Sequence, residues 1–480
     1  MRCRPHSSAR RFSAAILAYT CLIACTADGW RQYHSDITNT GFFPVHTGEA
    51  TKVKWRTPVG EVYNSSPVIG PRGQIIVATV DGRVMALRPT DGGILWSRDL
   101  NLSPNLELPE LKIRSTPAVQ DNGDVWVVAH MTYGPTGKRH SVLIRLDNAT
   151  GYPGTPELLS SASPDPMKPD YYKWNDARGW TLSSPKIMRG GYASYIFVHA
   201  RDEEYSKHSL CVLRPLGGGS GAITDAVLPL PCATPNNAPP LSDSVPFWTD
   251  PSPAVVPIAK YNDRLGLLNP VLTDHDGDPY RPYDWIIVVA NNQCAIGAYM
   301  WDPQAPSKSA RAFKQLWSHD SSADVLYTTP FVTPTDEVIV GTSDGKVQSY
   351  DIVTGAPFWT PPTQLQGQIW EPPASFAGTG IFTYIATTTR LYKLFSNGDI
   401  DTSVPLPEKV RATPATSLDR LYLNSSAGLH TFGLDLTPTF VAPEGASNNM
   451  FTSPTIGPDG TIYVITANGD LVAYESGVPE

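Results

Sequence analysis

The sequence predicts an all-β protein, an eight-bladed β-propeller of four-stranded antiparallel blades. Three observations carry this reading: a repeat of about 40 residues that recurs eight times, a proline at the head of each repeat, and an extra strand before the first repeat that matches one missing from the last.

The repeat is plainest where loops are short. Residues 65–96 (SSPVIGPRGQIIVATVDGRVMALRPTDGGILW) align without a gap to residues 328–359 (TTPFVTPTDEVIVGTSDGKVQSYDIVTGAPFW), and a third copy at 452–474 stops after its third strand. Weaker copies begin at Ser115, Ser183, Ser252, Pro372 and Ala412. The key prolines are Pro67, Pro117, Pro185, Pro253, Pro330, Pro373, Pro414 and Pro454, spaced near 40 in compact units and up to 77 residues apart between Pro253 and Pro330.

Each element of the unit follows from its residues. Proline offers no N–H to a central ladder, so the first strand belongs on an edge, and in a blade that edge lines the central channel. Seven of the eight prolines follow Ser or Thr, small polar residues that suit a crowded, wet axis; Pro372-Pro373 is the exception. The second strand is a nearly continuous apolar run (IIVAT, VWVVA, WIIVV, VIVGT), which predicts cover on both faces, as stacked blades provide. Asp81-Gly82, Asp344-Gly345 and Asn468-Gly469 then supply the positive φ angles of a two-residue hairpin turn.

The third strand ends near a glycine (Gly92, Gly355), and an outer strand follows with Trp96 or Trp359. Trp55, Trp96, Trp317 and Trp359 are expected to pack between blades. Val53–Thr57 reads as the outer strand missing from the last unit, so that N- and C-terminal strands complete one blade and remove the open edges of a linear array. The stretches at about 150–180 and 214–250, rich in Pro, Ser, Gly and Asn, read as loop insertions.

The chain begins with Arg2, Arg4, Arg10 and Arg11 followed by an apolar run from Phe12 to Ala24, the layout of an export signal and too short for a membrane span. It ends in Leu22-Ile23-Ala24-Cys25, which resembles the lipobox of bacterial lipoproteins, whose cysteine is acylated and becomes the first mature residue. Cleavage near Ala27, discarding Cys25, is the alternative. The expected partition is 1–24 signal peptide, 25–50 lipid-anchor tether and lead-in, and 51–480 propeller.

Charged residues make up 17% of the 480 and the net charge is −8, with no basic block beyond the first dozen residues, so nothing offers a phosphate-binding stripe and nucleic acid is not an expected partner. Beyond Cys25 only Cys211, Cys232 and Cys294 remain, without the spacing of a zinc site. In an oxidising compartment Cys211 and Cys232 can bridge a loop of about 20 residues, worth about 3 kcal/mol in the chain-entropy model.

The pattern S-P, apolar strand, D-G-x-V-x-A-L, then T-G-x-x-x-W resembles the PQQ-like repeat from about Trp30 to the end. That family includes the quinone-dependent alcohol dehydrogenases and the outer-membrane assembly lipoproteins of the BamB type. The enzymes' resemblance implies PQQ in the channel on a stacked Trp, a Ca²⁺ ion, a catalytic Asp and usually a disulfide of adjacent cysteines. This chain has no adjacent cysteines and no acidic motif that maps to the catalytic Asp. The lipoproteins' resemblance implies a non-catalytic module that binds a protein partner through surface loops.

Asp274, Asp276 and Asp278 alternate in a loop, followed by Asp284 before the strand WIIVV. Calcium takes six to eight oxygens from such clusters, and the run is similar to the calcium loops of integrin-type propellers, but a solvated acidic turn has the same composition. Pro279 occupies the position where an EF-hand needs Gly. His130, His199 and His319 fall near strand ends without a nucleophile or carboxylate at motif spacing and read as structural.

These readings converge on a non-catalytic, monomeric propeller, lipid-anchored through Cys25 in the bacterial envelope on a periplasmic or outer-membrane face. It is expected to engage a protein partner through its loops or channel mouth and to need no cofactor, unless the acidic loop takes Ca²⁺. The alternatives are a periplasmic PQQ-dependent dehydrogenase and a surface carbohydrate-binding or adhesion propeller.

Overall fold

The computed structural model describes residues 29–102, 110–133, 138–153, 157–158, 183–190, 193–201, 208–215, 222–230, 251–257, 285–291, 295–301, 313–320, 327–377, 381–406, 410–442, 452–475 and 477. They form eight antiparallel sheets, one per repeat, with strands in sequence order from the channel outward except in the closing blade, whose outer strand comes from the start of the chain, and in blade 2. Blade 1 shows the plan: innermost Val68–Ile69, second Ile75–Ala78, third Arg83–Leu87 and outer Ile94–Asp99. Blade 2 departs from it, since Leu111–Ile113 and Ala118–Val119 both pair with Val125–Tyr133.

Closure is as the sequence predicts. The outer strand Val53–Pro58 pairs with Asp470–Tyr474, placing Trp55 opposite Ala473, and the innermost strand of that blade, Thr455–Ile456, comes from the far end of the chain. Blade 3 runs Lys186–Gly190, Ala193–Arg201, His208–Pro215 and Ala222–Leu230. Its outer strand thus lies inside the stretch read as a loop, because Asp225 and Pro229 break the apolar alternation that marks strands elsewhere. In blade 5 Trp359 precedes rather than joins the outer strand, Thr363–Gln364.

Blades pack through apolar second and third strands, with Ile75–Ala78, Ile462–Ile465 and Glu337–Gly341 buried throughout. The tryptophans lock neighbouring blades. Trp55, Trp96, Trp317 and Trp359 are all buried. Their indole Nε1 groups donate to the carbonyls of Pro89 (2.8 Å), Asn148 (3.0 Å), Ile352 (2.8 Å) and Ser396 (2.9 Å) in the next blade. Each indole lies on a glycine in the turn it caps. At Gly355, with φ +70°, an added Cβ would sit 2.5 Å from the ring of Trp317, so both the backbone angle and the close approach require glycine there.

Candidate functional site: the central channel and its two mouths

The residue before each key proline stitches the blades together at the channel wall. Ser66 N–H donates to Thr116 Oγ1 (3.0 Å), Thr116 N–H to Ser184 Oγ (2.9 Å), Ser184 N–H to Ser252 Oγ (3.0 Å) and Ser252 N–H to Thr329 Oγ1 (2.9 Å). Across the ring, Thr413 N–H donates to Ser453 Oγ (3.1 Å) and Ser453 N–H to Ser66 Oγ (2.9 Å). The two remaining steps flank blade 6, where Pro372 has neither a hydroxyl to accept nor an N–H to donate.

One mouth is sealed by residues 29–43, which wind inside the ring and pass the innermost strands in blade order. Ile69 N–H donates to Trp30 O (2.7 Å), Val119 N–H to Arg31 O (2.8 Å) and Ile187 N–H to Gln32 Oε1 (3.0 Å). Val255 N–H donates to Ile37 O (2.8 Å), Val332 N–H to Thr38 O (2.9 Å) and Thr416 N–H to Gly41 O (2.8 Å). The segment therefore occupies strand edges that would otherwise face the channel unpaired. Asn39 Nδ2 donates to Pro253 O (3.2 Å) and Pro330 O (2.9 Å), joining blades 4 and 5. Lys186 Nζ donates to Tyr33 O and, at 2.9 Å, to Asp36 O.

The seal lies on the side of the turns between innermost and second strands. Arg31 pairs with Asp121 at 2.5 Å in the blade 2 turn, and Leu418 N–H and Asp419 in the blade 7 turn meet Val45 O and Thr47 N–H at 3.0 Å. Its interior carries little charge. Burial drops Lys186 to about 7, against the opposing pull of Asp36, and holds His34 well below its ordinary value, with Lys186 adding to that effect.

The opposite mouth, where the innermost strands begin, is built differently. Three or four residues before the prolines of blades 1, 2, 6 and 7 stand Tyr63, Arg114, Trp370 and Arg411, each partly exposed. The Arg114 guanidinium lies over the Tyr63 ring at 5.6 Å and that of Arg411 over Trp370 at 5.3 Å. Glu371 joins them and accepts a 2.7 Å hydrogen bond from Tyr33 OH, which reaches up from the seal. Burial raises Glu371 to about 8 despite the opposing influence of Tyr33 and Arg411, so near neutrality it is largely uncharged. Burial likewise pushes Tyr63 up to about 12, against the pull of Arg114 and Arg411.

The result is a cationic, aromatic bowl on a protein of net charge −8. Nearby, the buried Asn64 Nδ2 and Ser65 Oγ have no hydrogen-bond partner among the described residues. Buried polar groups of this kind are ordinarily met by water or a ligand. The arrangement can bind a carboxylate or similar anion by charge-assisted hydrogen bonds, with ring faces beside it.

A calcium-bound quinone needs acidic and amide ligands, a free stacking Trp and an ionised Asp as base. Here Arg411 lies over Trp370, and the carboxyl beside it, Glu371, is raised by burial to about 8. Among the described residues the mouth does not fit that cofactor. Nor does any group of three or more His, Cys, Asp or Glu among them stand where it could hold a metal ion.

Of the residues singled out from sequence, Asp274, Asp276, Asp278, Asp284, Cys25, Cys232 and Cys294 lie outside the described residues. Cys211 is buried in the third strand of blade 3, next to blade 2 side chains such as Trp126 and Leu143. His199 is buried, and His319 stacks on Tyr350 with its Nε2 2.7 Å from Gly355 O. The bowl was not marked by any motif. The signal available was positional: aligned on their prolines, the repeats carry Asn64, Arg114, Trp370 and Arg411 at one position, all bulky and polar or aromatic.

No family model matches the chain, and no curated protein matches it. Solved structures do. A quinohemoprotein alcohol dehydrogenase from Comamonas testosteroni is 12% identical, with a TM-score of 0.61 over 98% of this chain and 84% of its own. A europium-containing methanol dehydrogenase is 10% identical, with a TM-score of 0.58 over 91% of this chain and 89% of its own. BamB from Moraxella catarrhalis is 12% identical, with a TM-score of 0.51 over 88% of this chain and 99% of its own. The chain is an eight-bladed β-propeller that resembles, in fold, both the quinoprotein dehydrogenases and BamB.

Proposed function

We propose that this protein is a non-catalytic binding propeller, exported and held at the bacterial envelope by acylation of Cys25, whose open channel mouth seats an acidic group of a protein partner. The observation that carries the reading is the pairing of Arg114 over Tyr63 with Arg411 over Trp370 at that mouth. Two guanidiniums held on ring faces are oriented before a ligand arrives, so little side-chain entropy is lost on binding. Burial raises Glu371 to about 8, which weakens its opposition to the guanidiniums near neutral pH. The lack of fit to a calcium-bound quinone favours binding over dehydrogenation.

The test is capture of crosslinked partners from membranes by the full-length protein and by an Arg114→Ala/Arg411→Ala variant. Losing a charge-assisted contact costs roughly 2–5 kcal/mol, so binding should fall at least ~30-fold and recovered partner should vanish from the double variant. Arg72→Ala, on the opposite face, should recover it normally. Unchanged capture by the double variant, or stoichiometric PQQ uptake with alcohol-dependent dye reduction, would overturn the reading. Capture should also weaken between pH 7 and pH 9, as Glu371 ionises through about 8 and offsets one guanidinium, and Glu371→Gln should remove that dependence.

A further inference from the structure

We infer that the sealed face of the propeller lies against a lipid bilayer and that the cationic mouth therefore points away from it. The inference rests on the proposed acylation of Cys25 and goes beyond it, because an anchor alone says nothing about which side of the ring meets the membrane. Gly29 stands inside the ring. It is buried against blade 1, where a Cβ would lie 3.2 Å from the Ile69 carbonyl oxygen, and the next residue, Trp30, accepts the 2.7 Å bond from Ile69 N–H. Only Thr26, Ala27 and Asp28 separate Gly29 from Cys25. Four Cα-to-Cα steps reach at most about 15 Å.

A lipid on Cys25 is thus confined to within about 15 Å of the point where the chain enters the seal, and the seal lies among the turns between innermost and second strands. The Arg31–Asp121 pair and the contacts of Val45 and Thr47 with the Leu418–Asp419 turn fix the segment to that face. The strands then carry the opposite mouth away by their own length, roughly 3.3 Å per residue. A mouth-down pose would require the tether to thread the ring and an edge-on pose would require it to run sideways across the turns, so the sealed face is the surface nearest the anchor.

The face carries charges of both signs, Arg88 pairing with Asp91 and Lys54 with Asp459. Its turns carry Asp91, Asp147, Asp435 and Asp459, each held below its ordinary value, with backbone N–H bonds from Gly93, Thr150 and Ala149, Thr437 and Thr461 among the causes. The short tether, and not charge, would hold the face to the bilayer. Cys25→Ser should accordingly release the protein from membranes completely and at any ionic strength.

The experiment uses the full-length lipidated protein in phosphatidylethanolamine/phosphatidylglycerol vesicles containing a headgroup-nitroxide lipid. A fluorophore is placed at Arg72→Cys or Thr90→Cys on the sealed face, or at Asn468→Cys on the mouth face, and labelling of the parent protein is subtracted. These positions are exposed and belong to neither seal nor bowl. Quenching is expected to be several-fold stronger at positions 72 and 90 than at 468. Inserting 20 Gly/Ser residues between Asp28 and Gly29 should abolish the difference.

Equal or reversed quenching in protein shown by mass to be acylated would overturn the orientation and leave the anchor standing. A difference that survives the inserted spacer would also overturn it, since the face would then be held by its own affinity. Absence of acyl groups at Cys25 would overturn both anchor and orientation, while capture through Arg114 and Arg411 would still report on the mouth by itself.

Discussion

Blade 6 and the rest of the ring solve the same problem in different ways. At six of the eight blade-to-blade steps a Ser or Thr hydroxyl takes the backbone N–H of its neighbour. The steps into and out of blade 6 have no such bond, because Pro372 stands in place of the hydroxyl residue. Beside that break are Trp370 and Glu371, two components of the bowl. The sealing segment supports the same arc: Asn39 ties blades 4 and 5, Tyr33 reaches Glu371 and Gly41 O takes the Thr416 N–H. The difference teaches that the ring gives up its own stitching beside one half of the candidate site, the Trp370–Arg411 pair, while the Tyr63–Arg114 pair spans a stitched step.

The sharpest way to break this comparison is to remove the thread where the stitching ends. Asn39→Ala deletes both bonds from Nδ2 and leaves the Pro253 and Pro330 carbonyls buried without that donor. It also puts alanine at φ +62°, which asparagine tolerates better. Two lost buried bonds plus that strain predict a loss of about 3 kcal/mol. Thermal or denaturant unfolding measures it, and a loss below about 1 kcal/mol would mean that the segment does not support the arc.

The second effect concerns pH and belongs to the same arc. Glu371 is raised from its ordinary value to about 8 in the folded protein, so folding favours its protonated form. That contribution to stability is complete below about pH 4.5 and is lost as pH rises through 8. Glu337, raised to about 7 chiefly by burial, acts in the same direction. Lys186 acts oppositely: its lowered value near 7 means stability is regained between pH 7 and about 10.5. The unfolding midpoint should therefore fall between pH 5 and pH 8, and in Glu371→Gln it should fall markedly less. An identical slope in the variant would remove Glu371 from the account.

How much of this the sequence disclosed depended on whether a feature repeats. The prolines, the apolar second strands, the Asp-Gly turns and the closing strand around Trp55 recur or complement one another, so residue chemistry alone placed them. The sealing segment does not repeat. Gly29-Trp30-Arg31-Gln32-Tyr33-His34 has neither period 2 nor 3.6, and its partners are strand edges far along the chain, such as Val119 and Thr416. The bowl stayed hidden for a related reason: Arg114, Trp370 and Arg411 occupy one position in different repeats without a common residue type, and Tyr63 and Glu371 stand one place to either side of it. The strand Ala222–Leu230 was missed because its pattern is interrupted, while its pairing with His208–Pro215 depends on tertiary context.

The stitches can be tested one at a time. Thr116→Val removes the acceptor of the Ser66 N–H while keeping the shape of the side chain, and leaves that buried donor unmet. The expected loss is about 1–2 kcal/mol. Thr329→Val removes only the acceptor of the Ser252 N–H and should cost the same, because no second bond from blade 6 depends on it. A much larger loss at Thr329 would mean that the break beside blade 6 is bridged in some other way.

The smallest effect is the most specific. If Pro372 is what interrupts the ring, substitution should restore links in a countable order. Pro372→Ala returns an N–H able to meet Thr413 Oγ1; Pro372→Ser returns that N–H and a hydroxyl able to accept from the Thr329 N–H. Each restored bond contributes about 1 kcal/mol, while loss of the proline ring frees the unfolded chain and costs about 0.4–1 kcal/mol. Alanine should then be nearly neutral and serine more stable than alanine by about 1 kcal/mol. The difference between the two variants cancels the proline term and reads the Thr329 link alone. If serine is no more stable than alanine, blade 6 lacks the geometry of the other blades and not merely their chemistry, and the site would owe its position to a distorted blade instead of a missing hydroxyl.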